Sequence, residues 1–393
     1  MPTDKKAIGL RLREVREATP YWSRGKLARL LRAAADPRER EDLPHVQSLT
    51  DMIKQWESGK HLPAPRYRKL YARVLAEPEP TPAHLLPVMD LPTSSGHPAD
   101  GAFVEALRRT NEDLVRLDGQ WGGHDVLSLA VRVFRRAHHK IGTGAHEPAI
   151  ERDLLAAAGE TGEITAWLAY DADQQALSRQ LIMEALMLSR QAGDLDMELF
   201  ELSHLAMQSL HLNRPTEAMR ITAAVLDEDL PPRVAALFEL RRARVLAQSG
   251  DEHRAMAAIE KVRCVLSDSV SPRDPRWTWW LNETEVNRHK ATAYTRLRQW
   301  ERAVPLHEEV VVDDRAAHVY GNLDMTQLLE ALVHVRDWRR AEDVITEIAV
   351  LGEAITRGRA ASLLRGVLKQ IRRAGNAPST VTDTAETLER ALA

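Results

Sequence analysis

Apolar positions recur every three to four residues along most of the chain, with no sustained apolar–polar alternation, a pattern that predicts helices and no sheet. Near the N-terminus Ile8, Leu12 and Val15 form one stripe, with Arg11, Arg13 and Arg16 on the outer surface of the same helix. Ser23 offers a cap ahead of the string Arg24-Gly25-Lys26-Leu27-Ala28-Arg29-Leu30. A later helix carries Met52 to Glu57 and stops at Gly59; Ile53 and Trp56 are expected to point inward, and Glu57 to orient the turn or pair with an arginine. Further on, helices are predicted over 101–117 and 125–139, broken at Gly122-Gly123.

From there the pattern repeats. Glu217-Ala218-Met219, Arg254-Ala255-Met256, Arg302-Ala303-Val304 and Arg340-Ala341-Glu342 follow one another at spacings of 37, 48 and 38 residues. Twelve residues before the first three of these alanines stand Ala206, Ala243 and Ala291, and nine before them stand Ser209, Leu246 and Tyr294. Small residues on facing helices let two backbones approach, so the unit predicted is a helix pair stacked on its neighbours. A looser preceding unit sets Trp167 nine residues ahead of Ala176, and a following one sets Leu332 ahead of Ala341. The long step holds an insertion at 271–276, and closing helices are expected near 360–373 and 382–392. The fold class predicted is all-α, an N-terminal helical bundle followed by a helical solenoid.

Composition divides the 393 residues. Between 77 and 99 lie Pro78, Pro80, Pro82, Pro87, Pro92 and Pro98 with Ser94, Ser95 and Gly96, which reads as a semi-rigid linker between a head at 1–76 and a repeat domain at 100–393. The net charge of −3 hides an asymmetry: residues 1–75 hold 17 Lys+Arg against 9 Asp+Glu, leaving 37 against 48 for the rest. A compact basic module can displace counterions from phosphates, while an acidic body is held off the same polyanion. No apolar run approaches the roughly 18 residues of a membrane span, and the start of the chain lacks the apolar core of a secretory signal, so no membrane partner and a cytoplasmic location are expected. The single Cys264 excludes an internal disulfide and a multi-thiolate metal site, and is expected to fill a helix core.

Enzyme signatures are missing. There is no GxGxxG or GxxxxGK[ST] phosphate loop, no HExxH and no GxSxG elbow, and the scattered histidines, such as His204, His211, His289 and His307, are expected on solvated or capped positions. No catalytic residue, metal or cofactor is assigned. Trp277 and Trp280 are expected to share a helix face as filler beneath the insertion, or else to anchor a partner.

The string Ile53-Lys54-Gln55-Trp56-Glu57-Ser58-Gly59, followed by Pro63, Tyr67, Leu70, Tyr71 and Leu75, resembles the Cro/repressor-type (XRE) helix-turn-helix; Ser23 to Ala28 matches the start of that family's second helix, with Arg24 in place of a glutamine. The resemblance implies that the second of these helices reads duplex DNA. Thr50, Asp51, Lys54 and Gln55 are then the candidates for base edges: Lys54 for guanine O6 or N7, Gln55 for adenine, Asp51 for cytosine N4. Arg24, Lys26, Ser48, Lys60, His61 and Arg66 are the candidates for the backbone. The chain departs from the family in a longer turn, the extra piece at 33–47, expected to hold a short helix or a wing.

The repeats, over about 154–351, resemble the tetratricopeptide repeat without its full signature. Head and repeats together resemble the peptide-sensing quorum regulators of Gram-positive bacteria. That implies a homodimer bound to operator DNA, nucleoid-associated when so bound, with a peptide or protein effector in the groove of the repeats. Asn282, Asn287 and Asn322 are the candidate effector contacts, with Gln208 and Glu285 as lesser ones. The competing expectation is an interaction scaffold whose basic head has an auxiliary role.

Overall fold

The computed structural model describes residues 6, 12–13, 16, 24–35, 43–64, 66–67, 70–71, 98–121, 123–267, 270–317, 321–350 and 358–392. Among them the chain is all-α, with sixteen α-helices, two 3-10 turns and, as its one extended pairing, a parallel bridge between Ala99 and His146. It divides into two compact units, Met1–Ala83 and His84–Ala393. Ser23, Ile8, Val15, positions 36–42 of the expected wing and most of the proline-rich stretch lie outside the described residues.

In the first unit α1 (Arg24–Ala33) and α2 (Val46–Glu57) pack through Leu27, Ala28, Leu31, Leu49, Ile53 and Trp56, and Tyr67, Leu70 and Tyr71 close the core. The Trp56 ring lies 5.0 Å from that of Tyr67 and 6.0 Å from that of Tyr71, the second pair edge to face. Arg32 donates to the carbonyls of Leu43 (2.7 Å) and Pro44 (2.6 Å), which fixes the chain just ahead of α2. Past the helix end, Gly59 takes φ 70° and lets Gly59 N–H reach Trp56 O (3.0 Å) and Lys60 N–H reach Gln55 O (3.1 Å), a Schellman closure that a side chain with a Cβ would strain.

The second unit opens with α3 (Gly101–Trp121) and α4 (Gly123–Gly142), which cover the first of five helix pairs. The pairs are α5 (Glu151–Asp171) with α6 (Gln175–Ala192), α7 (Leu195–His211) with α8 (Pro215–Leu226), α9 (Pro232–Gln248) with α10 (Glu252–Ser267), α11 (Glu283–Arg296) with α12 (Trp300–Ala317), and α13 (Gly321–Val335) with α14 (Trp338–Val350). Every pair turns through one left-handed residue: Asp173, Asn213, Gly250, Arg298 and Arg336, at φ between 57° and 84°. The hydrogen bonds repeat as well. In each turn the left-handed residue donates three residues back, the next residue donates to the carbonyl of Ala169, Ser209, Leu246, Tyr294 or Leu332, and the residue five beyond the left-handed one donates four residues back in the first turn of the second helix.

That residue is Ser178, Ala218, Ala255, Ala303 or Ala341, all buried. The first helix pair is therefore in register through Ala166, Ala169 and Ser178, two residues later than the pairing of Trp167 with Ala176 that the sequence suggests. Serine in place of alanine at the second-helix position hid it. Small residues at these sites keep the two helices close; at Gly162 of α5 a Cβ would lie 2.8 Å from the Phe134 ring of α4.

The unit ends with α15 (Gly358–Arg373) and α16 (Ser379–Ala391), which share a core with α13 and α14 through Leu329, Leu332, Ile345, Leu364, Leu368, Val381 and Ala385. The start of α15 also meets the end of α5: Arg359 pairs with Asp171 at 3.0 Å, Ser362 Oγ donates to Asp173 at 2.5 Å, and Gly358, at φ 78°, sits where a Cβ would fall 2.5 Å from Asp171 O. α15 thus touches the first helices of both the first and the last pair and bridges the row.

Candidate functional site

Burial settles which side of α2 faces out. Leu49, Ile53, Trp56 and Glu57 are buried, Val46, Thr50 and Met52 are half-buried, and Gln47, Ser48, Asp51, Lys54 and Gln55 form one exposed face. These five lie within roughly a 120° arc at 100° per residue. Thr50 sits at its margin, its hydroxyl turned onto Val46 O (2.7 Å). The helix begins at Val46 with exposed His45 at its N-cap, so Gln47 joins the candidate face, a residue that sequence reasoning missed because the long preceding turn hid where the helix starts.

Of the residues expected at the DNA backbone, Lys60 and His61 are exposed just past the end of α2, and Ser48 lies on the face itself. Arg66 is exposed and is held by Tyr67, its guanidinium 4.6 Å from the ring centroid and one nitrogen 2.7 Å from the hydroxyl. Lys26 lies in α1. Arg24 is spent differently: its Nε donates to Glu57 at 2.7 Å, which ties α1 to α2. Arg16 Nε donates to the other Glu57 oxygen at 2.6 Å, so one buried carboxylate anchors two arginines and holds α2 at a fixed roll. Burial, with the Glu57 charge adding to it, pushes the Tyr71 hydroxyl well above its ordinary range, so this ring stays neutral beside the pair.

In the second unit the three asparagines do not form a set. Asn282 is the N-cap of α11, accepting from Glu285 N–H at 3.0 Å. Asn287 is held between Arg263 (2.6 Å) and Glu309 (3.3 Å), on α10 and α12, and Asn322 stands in the first turn of α13. Gln208 is buried with its amide donating to Gln175 O (2.8 Å), and Glu285 pairs with Arg288 and lies 3.3 Å from His289.

Trp167 and Asp171, six and two positions before their left-handed turn, face Arg359 of α15, and the equivalent positions on the other first helices define the inner face of the row. They are His211 and Met207 on α7, Gln248 and Arg244 on α9, Arg296 and Thr292 on α11, and His334 and Glu330 on α13. Aromatic contacts run along part of this stripe: Trp167 stacks on His204 at 5.4 Å, His204 meets Phe200 at 4.5 Å, and Tyr170 meets His211 edge-on at 5.3 Å. Trp277 joins from the 3-10 turn at Arg276–Trp280, stacking on Phe200 at 4.6 Å and donating to Asp196 O at 3.1 Å, while Trp279 is 79% exposed.

Two expectations are corrected. Cys264 lies on the exposed side of α10, because Ala255, Ala258, Ile259 and Val262 take the buried stripe. His289 and His307 are core residues rather than solvated ones; burial pushes both down to about 4, so they are neutral at pH 7.

No group of three His, Cys, Asp or Glu suited to a metal ion occurs among the described residues, and none of their helices is long and apolar enough to cross a membrane. Comparison of the sequence with known protein families gives no match, and comparison with curated proteins gives none.

Proposed function

We propose that this protein is a sequence-selective DNA-binding transcription regulator of the Cro/repressor (XRE) type, acting in the cytoplasm as a homodimer whose tetratricopeptide-like repeats sense an effector. The observation that carries the reading is the exposed face of α2, where Gln47, Ser48, Asp51, Lys54 and Gln55 project together from a helix locked on its other side by Ile53, Trp56 and Glu57. A rigid helix with mixed donors and acceptors on one side suits a major groove, where each base pair offers its own donor and acceptor pattern. Lys54 donates to guanine O6 or N7, Gln55 pairs bidentately with adenine, and Asp51 accepts from cytosine N4. Lys60, His61 and Arg66 position the module on phosphates, and the excess of 17 basic over 9 acidic residues across 1–75 supplies the salt-dependent attraction. Dimerisation through the acidic second unit sets two such helices about 34 Å apart on one side of the duplex, which calls for a two-fold-symmetric site.

Selection of random duplex DNA by the full-length protein at physiological salt tests the reading. Recovery of a two-fold-symmetric motif, lost in the Lys54→Ala, Gln55→Ala double variant, supports it. Weak binding that is salt-sensitive but indifferent to sequence overturns it in favour of an interaction scaffold.

A further inference from the structure

The second unit, residues 84–393, carries a net negative charge, 37 Lys+Arg against 46 Asp+Glu, yet its inner face presents arginines. Arg244 and Arg296 stand at the lining positions of the adjacent first helices α9 and α11, and Arg359 arrives from α15, which bridges the row. Arg359 lies with its guanidinium 4.2 Å above the Tyr170 ring, and Tyr170 meets His211 of α7 edge-on at 5.3 Å. All three arginines act on His211: burial and the positive charges of Arg359, Arg244 and Arg296 hold its imidazole below its usual range, against the pull of Asp173.

The nearby carboxylates among the described residues already have partners, one of them within the set of arginines. Asp171 is paired with Arg359 at 3.0 Å, Asp173 accepts from Ser362 and lies 3.8 Å from His211, Asp324 is 3.3 Å from Arg288, and Glu285 holds Arg288 and His289. Glu330, the lining residue of α13, is pushed up by burial, against the nearby charge of Arg296. Among the described residues Arg244 forms no hydrogen bond or ion pair with a carboxylate; burial, with the charges of Arg241 and Arg296, brings it down to about 10 against the opposing pull of Tyr170 and Glu285. It remains a cation at neutral pH, half-buried and facing the like charges of Arg241 and Arg296 with Glu285 as the opposing charge. Such an arrangement is costly unless an anion shares it.

We propose that Arg244, Arg296 and Arg359 form a binding site for the anionic group of a ligand, a carboxylate or a phosphate, on the inner face of the repeats beside Tyr170 and His211. Arg296 is exposed and Arg244 half-exposed, so the group reaches them from solvent. The planar guanidinium forks suit either oxyanion, and the aromatic contacts from Tyr170 through Trp167 and His204 to Phe200 offer apolar surface to the rest of the ligand. Because Arg359 comes from α15, occupancy would tie the third and fourth helix pairs to the bridging helix. The inference deepens the effector-sensing part of the proposed function and does not depend on DNA reading.

Calorimetric titration of the full-length protein with pyrophosphate, and separately with a tetraglutamate peptide, tests it; a tetraglutamine peptide is the uncharged control. Saturable binding of at least one anion, absent for tetraglutamine and weakened about tenfold or more by Arg244→Gln with Arg296→Gln, is the expected result. Which anion binds decides between phosphate and carboxylate. Arg296→Gln alone changes an exposed side chain and should weaken binding in a chain that keeps its fold, as checked by circular dichroism. Absence of saturable binding by either anion, or affinity unchanged in the folded variants, overturns the proposal. Loss of anion binding with operator selection intact would sink this site alone, whereas anion binding without operator selection would sink the reading of α2.

Discussion

Two buried glutamates, one in each unit, are held in opposite ways. Glu57 in the head has a side chain only 2% exposed and faces Arg16 and Arg24 at 2.6 and 2.7 Å. Glu201 in α7 is fully buried, accepts only from Ser189 Oγ at 2.7 Å among described partners, and is surrounded by Glu163, Asp194 and Glu198; burial pushes it up to about 9, so it carries a proton at pH 7. The head uses charge to clamp two helices at a defined angle, and the repeats bury a neutral acid between stacked helices. The residue type is the same; what differs is whether a positive charge packs against it.

The comparison breaks most severely at the clamp. Glu57→Gln removes the carboxylate charge that faces Arg16 and Arg24 and should destabilise the head by about 3–5 kcal/mol. Hydrogen exchange of the α2 amides should rise while that of α7 and α9 is unchanged. Trp56→Ala should cost a similar amount, about 3–5 kcal/mol, by emptying the space between Tyr67 and Tyr71, again with protection lost in the head alone. If either variant loosens the repeats as well, the two units are not energetically separate.

In the second unit the largest effect expected is steric. Gly358→Ala places a methyl 2.5 Å from Asp171 O at a φ of 78°, so about 1–3 kcal/mol of strain should detach the start of α15 from α5. Increased exchange at the α15 N-terminus and at the end of α5 is the readout; unchanged protection of both would mean that this contact does not hold the bridge.

Acid and alkali sharpen the contrast further. With its native value near 9, Glu201 binds a proton in the folded chain that the unfolded chain releases above about 4.5, so its contribution to stability falls as pH rises from 4.5 towards 9. His289 and His307, held near 4 against about 6.5 unfolded, act the other way: their contribution is full above 6.5 and is lost as pH falls towards 4. Glu201→Gln should therefore flatten the alkaline side of the stability profile and leave the acid side unchanged, as measured by chemical denaturation at a series of pH values. An unaltered alkaline slope would mean that Glu201 is ionised in the native state.

The smallest stability effect belongs to the face of α2. Lys54→Ala with Gln55→Ala touches no core atom and should shift stability by no more than about 0.5 kcal/mol, so any loss of operator selection is a loss of contacts and not of fold.

Much of the fold was legible in the sequence, because period and small-residue spacing are local properties. Ile53 and Trp56 read as inward and are buried, and the turns of the last four helix pairs follow the alanine spacing. The first pair misled by two residues, since Ser178 replaces the alanine that marks the others and only the shared left-handed turn at Asp173 restores the register. Candidate chemistry was less legible. The face of α2 could be outlined from its apolar side, but Gln47 needed the helix start, and the commitment of Arg24 to Glu57 needed the distance between residues 33 apart.

The sequence by itself determined which segments are helical, how often the pairs recur and that positive charge concentrates at one end, because these depend on periodicity and composition along the chain. Tertiary structure decided what the buried polar groups do. Asn282 became a cap and Asn287 a tie between helices, while Arg244, Arg296 and Arg359 all came to act on His211 although up to 115 residues separate them in sequence. Electrostatic and desolvation energies depend on separation in space, and no linear pattern records which side chains a stack of helices brings near one another.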